Sequence, residues 1–469
     1  MSTATAKTIA IIGAGPVGLA AAARTLERGM TPVVLEAGPA VGHAVQQWGH
    51  VRMFSPWAYN IDNASERLLV TAGWNSPDPE AYPTGADFYD QYLEPLATRT
   101  ALNDHIHTSA RVTAISRVGF DKLKTKGRAA APFEVRYQNG EGSMSLTADA
   151  VIDASGTWFS SNAAGANGLA AFGEPEQAAR IAYATPDVLG RKRSRYAGKT
   201  VAVLGAGHSA IGTLIDLTRL KDEAPGTSII WLLRGDTPEK AFGGGAADKL
   251  SARGELGATF ARLVREKRLQ VETGFSVSQL TNADGRLRIS AGSTPSGRHV
   301  IADELIVATG FRPDVSFLRE VRLSLDPALE CPPALAPLID PNEHSCGTVR
   351  PHGARELAQP EPGLYIAGMK SYGRAPTFLV LTGYEQVRSI TAEIAGDKAA
   401  AERVELALPE TGVCSGSPLA AVASCRGGPP KADLSACCVA DETAKVSGKP
   451  RCGSTPAPSV QPKAAACCG

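Results

Sequence analysis

The stretch Thr8-Ile9-Ala10-Ile11-Ile12-Gly13-Ala14-Gly15-Pro16-Val17-Gly18, running on to Val34-Leu35-Glu36, constrains this chain more than any other. A short apolar run ends in Gly-x-Gly-x-x-Gly, an alanine-rich segment follows, and a second apolar run ends in an acid. That order predicts strand, tight turn, helix, strand. Gly13 permits the tight turn, Gly15 lets backbone approach a pyrophosphate, and Gly18 lets helix and strand pack closely. Ala14, Pro16 and Val17 complete the turn, and the helix start presents unpaired N–H groups to phosphates. Glu36, closing the second strand, is placed to accept hydrogen bonds from a ribose diol.

With 469 residues the chain is long enough for two or three domains. Lys and Arg number 48 against 47 Asp and Glu, a balance that points to neither nucleic acid nor an anionic membrane as partner. No segment offers the roughly 20 uninterrupted apolar residues of a membrane span. Lys7 and the apolar run after it imitate an export signal, but the glycine fingerprint explains that run, so a cytoplasmic protein is expected.

Pro16 to Gly29 reads as the first helix. The aromatic passage Gln46 to Trp57 has no period and reads as a long ordered loop, either beside a cofactor ring or packing the core. Gly85 to Ala101 reads as helical, Arg111–Ile115 and Phe133–Tyr137 alternate as strands, and Ala148–Gly156 is a buried strand ending in small residues. A second fingerprint follows in Val201-Ala202-Val203-Leu204-Gly205-Ala206-Gly207-His208-Ser209-Ala210, with a helix from Ala210 to Leu220. Its second strand, Ser228 to Leu233, ends in Arg234 instead of an acid. An acid there would repel a 2′-phosphate, whereas an arginine pairs with one as a fork of donors. The second site is therefore read as NADPH-binding through Gly205, Gly207, His208, Ser209 and Arg234, with NADH as the alternative. His208 touches the pyrophosphate or the nicotinamide ribose, or else only caps and packs. Different acceptors at the two fingerprints imply two dinucleotides, FAD first and NADPH second, arranged for hydride transfer between them.

The fold expected is α/β, with two Rossmann-like domains. An FAD-binding part spans 1–160, an inserted NADPH-binding part 161–303, a second FAD part 304–408, and a disordered cysteine-rich tail 409–469. The run Glu304-Leu305-Ile306-Val307-Ala308-Thr309-Gly310 marks the return to the FAD domain, and Gly363–Gly368 supplies a further strand before a helix from about Val380 to Ile394. The start of that helix is expected to face the flavin.

Together these motifs resemble the two-dinucleotide-binding-domain flavoproteins, in particular the flavin-containing monooxygenase group, over residues 8 to 395. Phe54-Ser55-Pro56-Trp57, Asp153 to Trp158, Gly207-His208-Ser209-Ala210 and Gly368 to Thr377 are similar to stretches of the flavin-binding monooxygenases of bacterial arsenic-resistance operons. The resemblance implies an FAD set of Gly13, Ala14, Gly15, Pro16, Val17, Gly18, Glu36, Val112, Gly368 and Thr377. Two departures stand out. The Phe-x-Gly-x-x-x-His-x-x-x-Tyr fingerprint of the group is absent, and its usual Gly-Asp pair is Gly368-Met369, followed by Lys370. Arg52 and Asn60 are candidates for a position over the reactive flavin.

Seven of the 9 cysteines lie beyond Pro409, and Cys437-Cys438 and Cys467-Cys468 each place two soft thiols at one point. A trivalent metalloid or mercury is the natural ligand, and the last pair resembles the C-terminal vicinal pair of mercuric reductases. An unselected low-complexity tail is the alternative. Three functions stay open. One is NADPH-dependent oxygenation of a soft nucleophile, favoured by the lack of cysteine in the loop after Glu36 and from Ser160 to Val300. The second is reduction of a metalloid or disulfide through the tail thiols. The third is a redox sensor or metalloid-binding protein without catalysis.

Overall fold

A computed structural model describes residues 6–243, 251–292, 297–342, 349–376 and 378–406. The chain divides into Met1–Gly416 and Ser417–Gly469, and every described residue belongs to the first unit. The first sheet opens with β1 (Thr8–Ile12), β2 (Thr31–Leu35), β3 (Ile106–His107) and β4 (Ala150–Asp153). The chain then lays down β5 (Ile181–Tyr183), β6 (Thr200–Leu204), β7 (Ser228–Leu232), β8 (Gln270–Glu272) and β9 (Glu304–Val307) as a second sheet. It returns with β10 (Leu364–Ile366) to complete the first. Strand order is β10-β4-β1-β2-β3 in one sheet and β8-β7-β6-β9-β5 in the other. Every pairing within them is parallel. Two parallel Rossmann-like α/β sheets are thus present, as the two fingerprints imply.

The strands are near-continuous apolar runs because both faces are covered, one by helices and the other by antiparallel strands. Helix α1 (Pro16–Glu27) follows β1, and Leu19 to Ala23 are buried in it. Their small side chains let α1 lie close to β1 on one side and to a later helix, α4 (Val380–Ala395), on the other. The equivalent helix after β6 is α2 (His208–Glu223), packed against α3 (Ser251–Arg265). In that layer Trp231 is fully buried, donates to the Gly205 carbonyl at 2.8 Å and meets Phe260 edge-on. Each sheet carries an antiparallel appendage: 111–117, 133–139 and 142–148 for the first, 277–283, 286–291 and 299–302 for the second. None of the described helices is long and apolar enough to cross a membrane.

One boundary moves. Glu304–Val307, expected to open the returning FAD segment, pairs with β6 from Glu304↔Val201 to Val307↔Leu204 and with β5 on its other side. Its apolar side chains fill the second core, so the chain leaves the second sheet after Val307. The passage 46–57 is irregular as expected, between a short helix at His43–Gln47 and a 3-10 turn at Trp57–Tyr59. The segment read as one helix over 85–101 is interrupted by a π turn at Tyr89–Leu93.

The two crossings between the sheets run side by side. Asn162 N–H donates to the Gly310 carbonyl and Arg312 N–H to the Ser160 carbonyl, both at 2.9 Å. Trp158 packs across this ribbon on Phe311, the rings tilted and 5.2 Å apart.

The return to β10 is pinned by a buried ion triad. Glu361 accepts from Arg117 Nε at 2.9 Å and Arg128 Nη2 at 2.8 Å, with all three side chains almost wholly buried. Burial opposes ionisation of Glu361, but hydrogen bonds from Arg128, Arg117 and the Arg322 N–H outweigh it and hold the carboxyl below its usual range. A depressed folded pKa gives stability that is present above the unfolded value and lost as pH falls through the folded one. Glu361→Gln is therefore expected to cost about 3–5 kcal/mol in urea unfolding at neutral pH. The gap to the wild type should shrink as pH falls from the ordinary glutamate range through the lowered folded pKa of Glu361.

Candidate dinucleotide-binding cavity

At the first fingerprint the three glycines have separable reasons. Gly13 has φ +98°, and a Cβ there would lie 2.8 Å from Ser155 Cα. A Cβ on Gly18 would lie 1.9 Å from the Gly13 carbonyl oxygen. Gly15 has neither reason: its φ is −78°, and a Cβ would meet nothing within 4 Å. The space it leaves lies at the N-terminus of α1, where N–H groups lack helical partners. A phosphate approaching the backbone needs that opening.

Glu36 holds this turn from the end of β2. Its Oε2 accepts from Ala14 N–H at 2.8 Å and its Oε1 from Gly38 N–H at 2.7 Å. A carboxylate offers about four acceptor positions, so lone pairs remain for a ribose diol, and Glu36 lines the cavity described below. Val112 lies on the same wall beside Ala110 and Arg111. Pro16 occupies the first turn of α1, and Val17 packs on Gly368, whose φ is +70° and whose N–H donates to Gln386 Oε1 at 2.7 Å. Gln386 also meets His352 Nε2 and Ser371 Oγ at 2.9 Å, and burial pushes the His352 imidazole pKa down. Phe378, Leu379 and Val380 bring the start of α4 to the cavity. Thr377 lies outside the described residues.

The second fingerprint repeats the device. Gly205 has φ +138°, with its would-be Cβ 2.3 Å from the Ala308 carbonyl oxygen, while Gly207 at φ −83° again meets nothing within 4 Å. His208 opens α2 and lies against Phe54, ring centroids 5.2 Å apart. Ser209 lines the same space. Arg234 is exposed beyond the end of β7, with Nη1 donating to the Ala166 carbonyl at 3.1 Å, outside the cavity wall.

Both turns open into one cavity of about 1110 Å³, with Gly13 and Gly15 at one side and Gly207 and His208 at another. Between them stand Trp48, Phe54, Trp158, Phe311 and Phe317. Arg52 lies on the wall and donates from Nη1 to the Tyr82 carbonyl at 3.0 Å. Asn60 does not reach it. Its Oδ1 accepts from Ser55 Oγ, and its Nδ2 donates to the Ser55 and Pro56 carbonyls at 2.9 Å. With all these contacts inside the loop and no exposed surface, Asn60 fixes the 55–60 turn and is not a residue over the flavin.

Thiol chemistry is missing from this wall. Among the described residues the free cysteine is Cys331, buried, with burial and then Asp326 pushing its thiol up to about 12. It does not line the cavity. Cys437, Cys438, Cys467 and Cys468 lie outside the described residues, among which no metal-binding cluster occurs. Two openings at helix starts, one backed by an acid and one followed by an arginine, fit FAD at the first turn and a nicotinamide dinucleotide at the second.

A family model described as pyridine nucleotide-disulphide oxidoreductase matches residues 10–333, which include both turns. The chain belongs to that family. No curated protein matches it in sequence. The fold is similar to that of the bacillithiol disulfide reductase of Bacillus cereus, with TM-score 0.61 and 18% identity over 84% of this chain and 99% of that one. It is also similar to DfoA, the cadaverine monooxygenase of desferrioxamine biosynthesis in Erwinia amylovora, with TM-score 0.59 and 15% identity over 88% and 100%. The ornithine N-hydroxylase of Kutzneria sp. 744 follows at TM-score 0.54 and 16% identity over 84% and 100%. Reductases and monooxygenases share this architecture, so the choice between them rests on what lines the cavity of this pyridine nucleotide-disulphide oxidoreductase.

The sequence hid one feature of this oxidoreductase. Lys370, the residue after the Gly368-Met369 pair, makes a fully buried ion pair with Asp153 at 2.6 Å. Only an acid ending an apolar strand hinted at it, because the partner lies on another segment far along the chain.

Gly15→Ala and Gly18→Ala should separate binding from folding. Gly15→Ala is expected to change apo-protein stability by less than about 1 kcal/mol while abolishing FAD retention. Gly18→Ala should lower the melting temperature even without FAD, because its methyl group meets backbone. Differential scanning fluorimetry with and without FAD reads both.

Proposed function

We propose that this flavin-dependent oxidoreductase is an NADPH-consuming monooxygenase that transfers oxygen to a soft nucleophile. The supporting observation is the single aromatic-walled cavity that joins both cradles with no cysteine among its lining residues. FAD supplies the hydride acceptor and, once reduced, the oxygen-activating group. The protein binds, orients and excludes water. The N–H groups at the starts of α1 and α2 hold the two diphosphates, and Glu36 holds the FAD ribose. Arg234 swings from the Ala166 carbonyl to the 2′-phosphate of NADPH. Trp48, Phe54 and Phe317 keep the reaction space dry, which strengthens every polar contact within it. A trivalent arsenical or sulfur compound is the substrate class that the arsenic-operon resemblance suggests, and the cytoplasm the setting.

The family's disulphide chemistry supports a second reading, in which Cys467 and Cys468 carry electrons from the flavin to a metalloid or disulfide. Stopped-flow spectroscopy separates the two. Protein reduced anaerobically with NADPH and then mixed with oxygen should pass through a transient unlike either the oxidised or the reduced flavin. Direct return to oxidised flavin, with arsenite or disulfide reduction lost in Cys467→Ser/Cys468→Ser, would establish the reductase instead. Arg234→Ala is expected to raise KM for NADPH roughly ten- to hundredfold and leave that for NADH nearly unchanged. Loss of a charge-assisted contact of about 1.5–3 kcal/mol gives that range.

A further inference from the structure

Beneath the first cradle lies a charged cluster that the glycine turns do not require. Lys370 Nζ lies 2.6 Å from Asp153 Oδ2, and both side chains have no exposure. Asp153 closes β4, the strand between β1 and β10, and its Oδ1 accepts from Ser155 N–H at 3.1 Å and Ser155 Oγ at 2.7 Å. Lys370 Nζ donates to the same Ser155 Oγ at 3.0 Å and sits 4.4 Å from the Phe317 ring centroid.

Each of these contacts leads to the cofactor cavity. Ser155 and Phe317 line it, and Ser155 Cα is the atom against which Gly13 turns. Gly368, two residues before Lys370, also lines it and packs on Val17 in the first turn of α1. The lysine's field reaches the wall: Asp314 is held below the usual carboxylate range, against burial, by its bonds to Ser316 and by the Lys370 charge.

Stability does not account for such a pair. Desolvating both ions costs about what their attraction returns, and apolar residues of the same volume would serve as well. A charge beside a site that must hold an anionic diphosphate has another use. We propose that Lys370 is a positioning residue for the FAD diphosphate. Through Ser155 it fixes the shelf under the Gly13 turn, and its ammonium, offset by Asp153, sets the anion affinity of the first cradle. The inference rests on the assignment of FAD to that cradle.

The two halves of the pair then act with opposite sign. Without Lys370, Asp153 is an uncompensated carboxylate near the diphosphate and repels it. Without the Asp153 charge, the site is neutral or positive. FAD binding to apo-protein, followed by flavin fluorescence, tests this, with ADP as a competing diphosphate that carries no flavin. Lys370→Met is expected to weaken both FAD and ADP at least about tenfold. Asp153→Asn should bind both at least as tightly as the wild type. The double variant should return to within about threefold of it.

A purely structural pair would instead make both single variants weaken FAD together, along with their melting temperatures, and that result overturns the inference. If Lys370→Met does not fold, Asp153→Asn and the double variant decide by the same signs. Wild-type protein that binds no FAD would refute the flavin assignment itself, a different result from wild-type binding with variants of the wrong sign.

Discussion

The architecture depends on one close approach, the Gly13 turn against Ser155 at the end of the neighbouring strand. A side chain at Gly13 would meet Ser155 Cα at 2.8 Å, and one at Gly18 would meet the Gly13 carbonyl oxygen at 1.9 Å. Once these backbones touch, α1 must leave the sheet at a fixed angle, and its free N–H groups face the carboxyl ends of the strands. Ligands bind at that edge in open parallel sheets because helix starts converge there. The grip of Glu36 on Ala14 and Gly38 ties the second strand to the same point.

The second sheet uses the same contact between Gly205 and Ala308, and two short crossings bonded to one another join the halves. Because these crossings leave from β4 and β9, they place the two turns on a common cavity. The shared space is thus a consequence of topology. Phe54 on one side and His208 on the other touch across it, ring centroids 5.2 Å apart.

Local features were legible in the sequence and distant ones were not. Glycine spacing and apolar period gave both turns, since each needs only neighbours in the chain. The lysine–aspartate pair did not show, because Asp153 and Lys370 meet only after β10 returns beside β4. The same limit explains β9, whose apolar run fits either sheet until Glu304 finds Val201. Asn60 looked available because polarity is visible in a sequence and saturation by Ser55 and Pro56 is not. Arg234 was legible as a charge, while its bond to Ala166 depends on a loop elsewhere in the chain.

The proposed monooxygenase makes flavin the one redox centre working in this cavity. Anaerobic titration of the full-length, FAD-loaded protein with NADPH counts the acceptors directly. Such an enzyme should show complete flavin bleaching at about one NADPH per flavin, with no long-wavelength thiolate–flavin band. Uptake of a second equivalent, with such a band appearing midway, would show a dithiol in the electron path and contradict it.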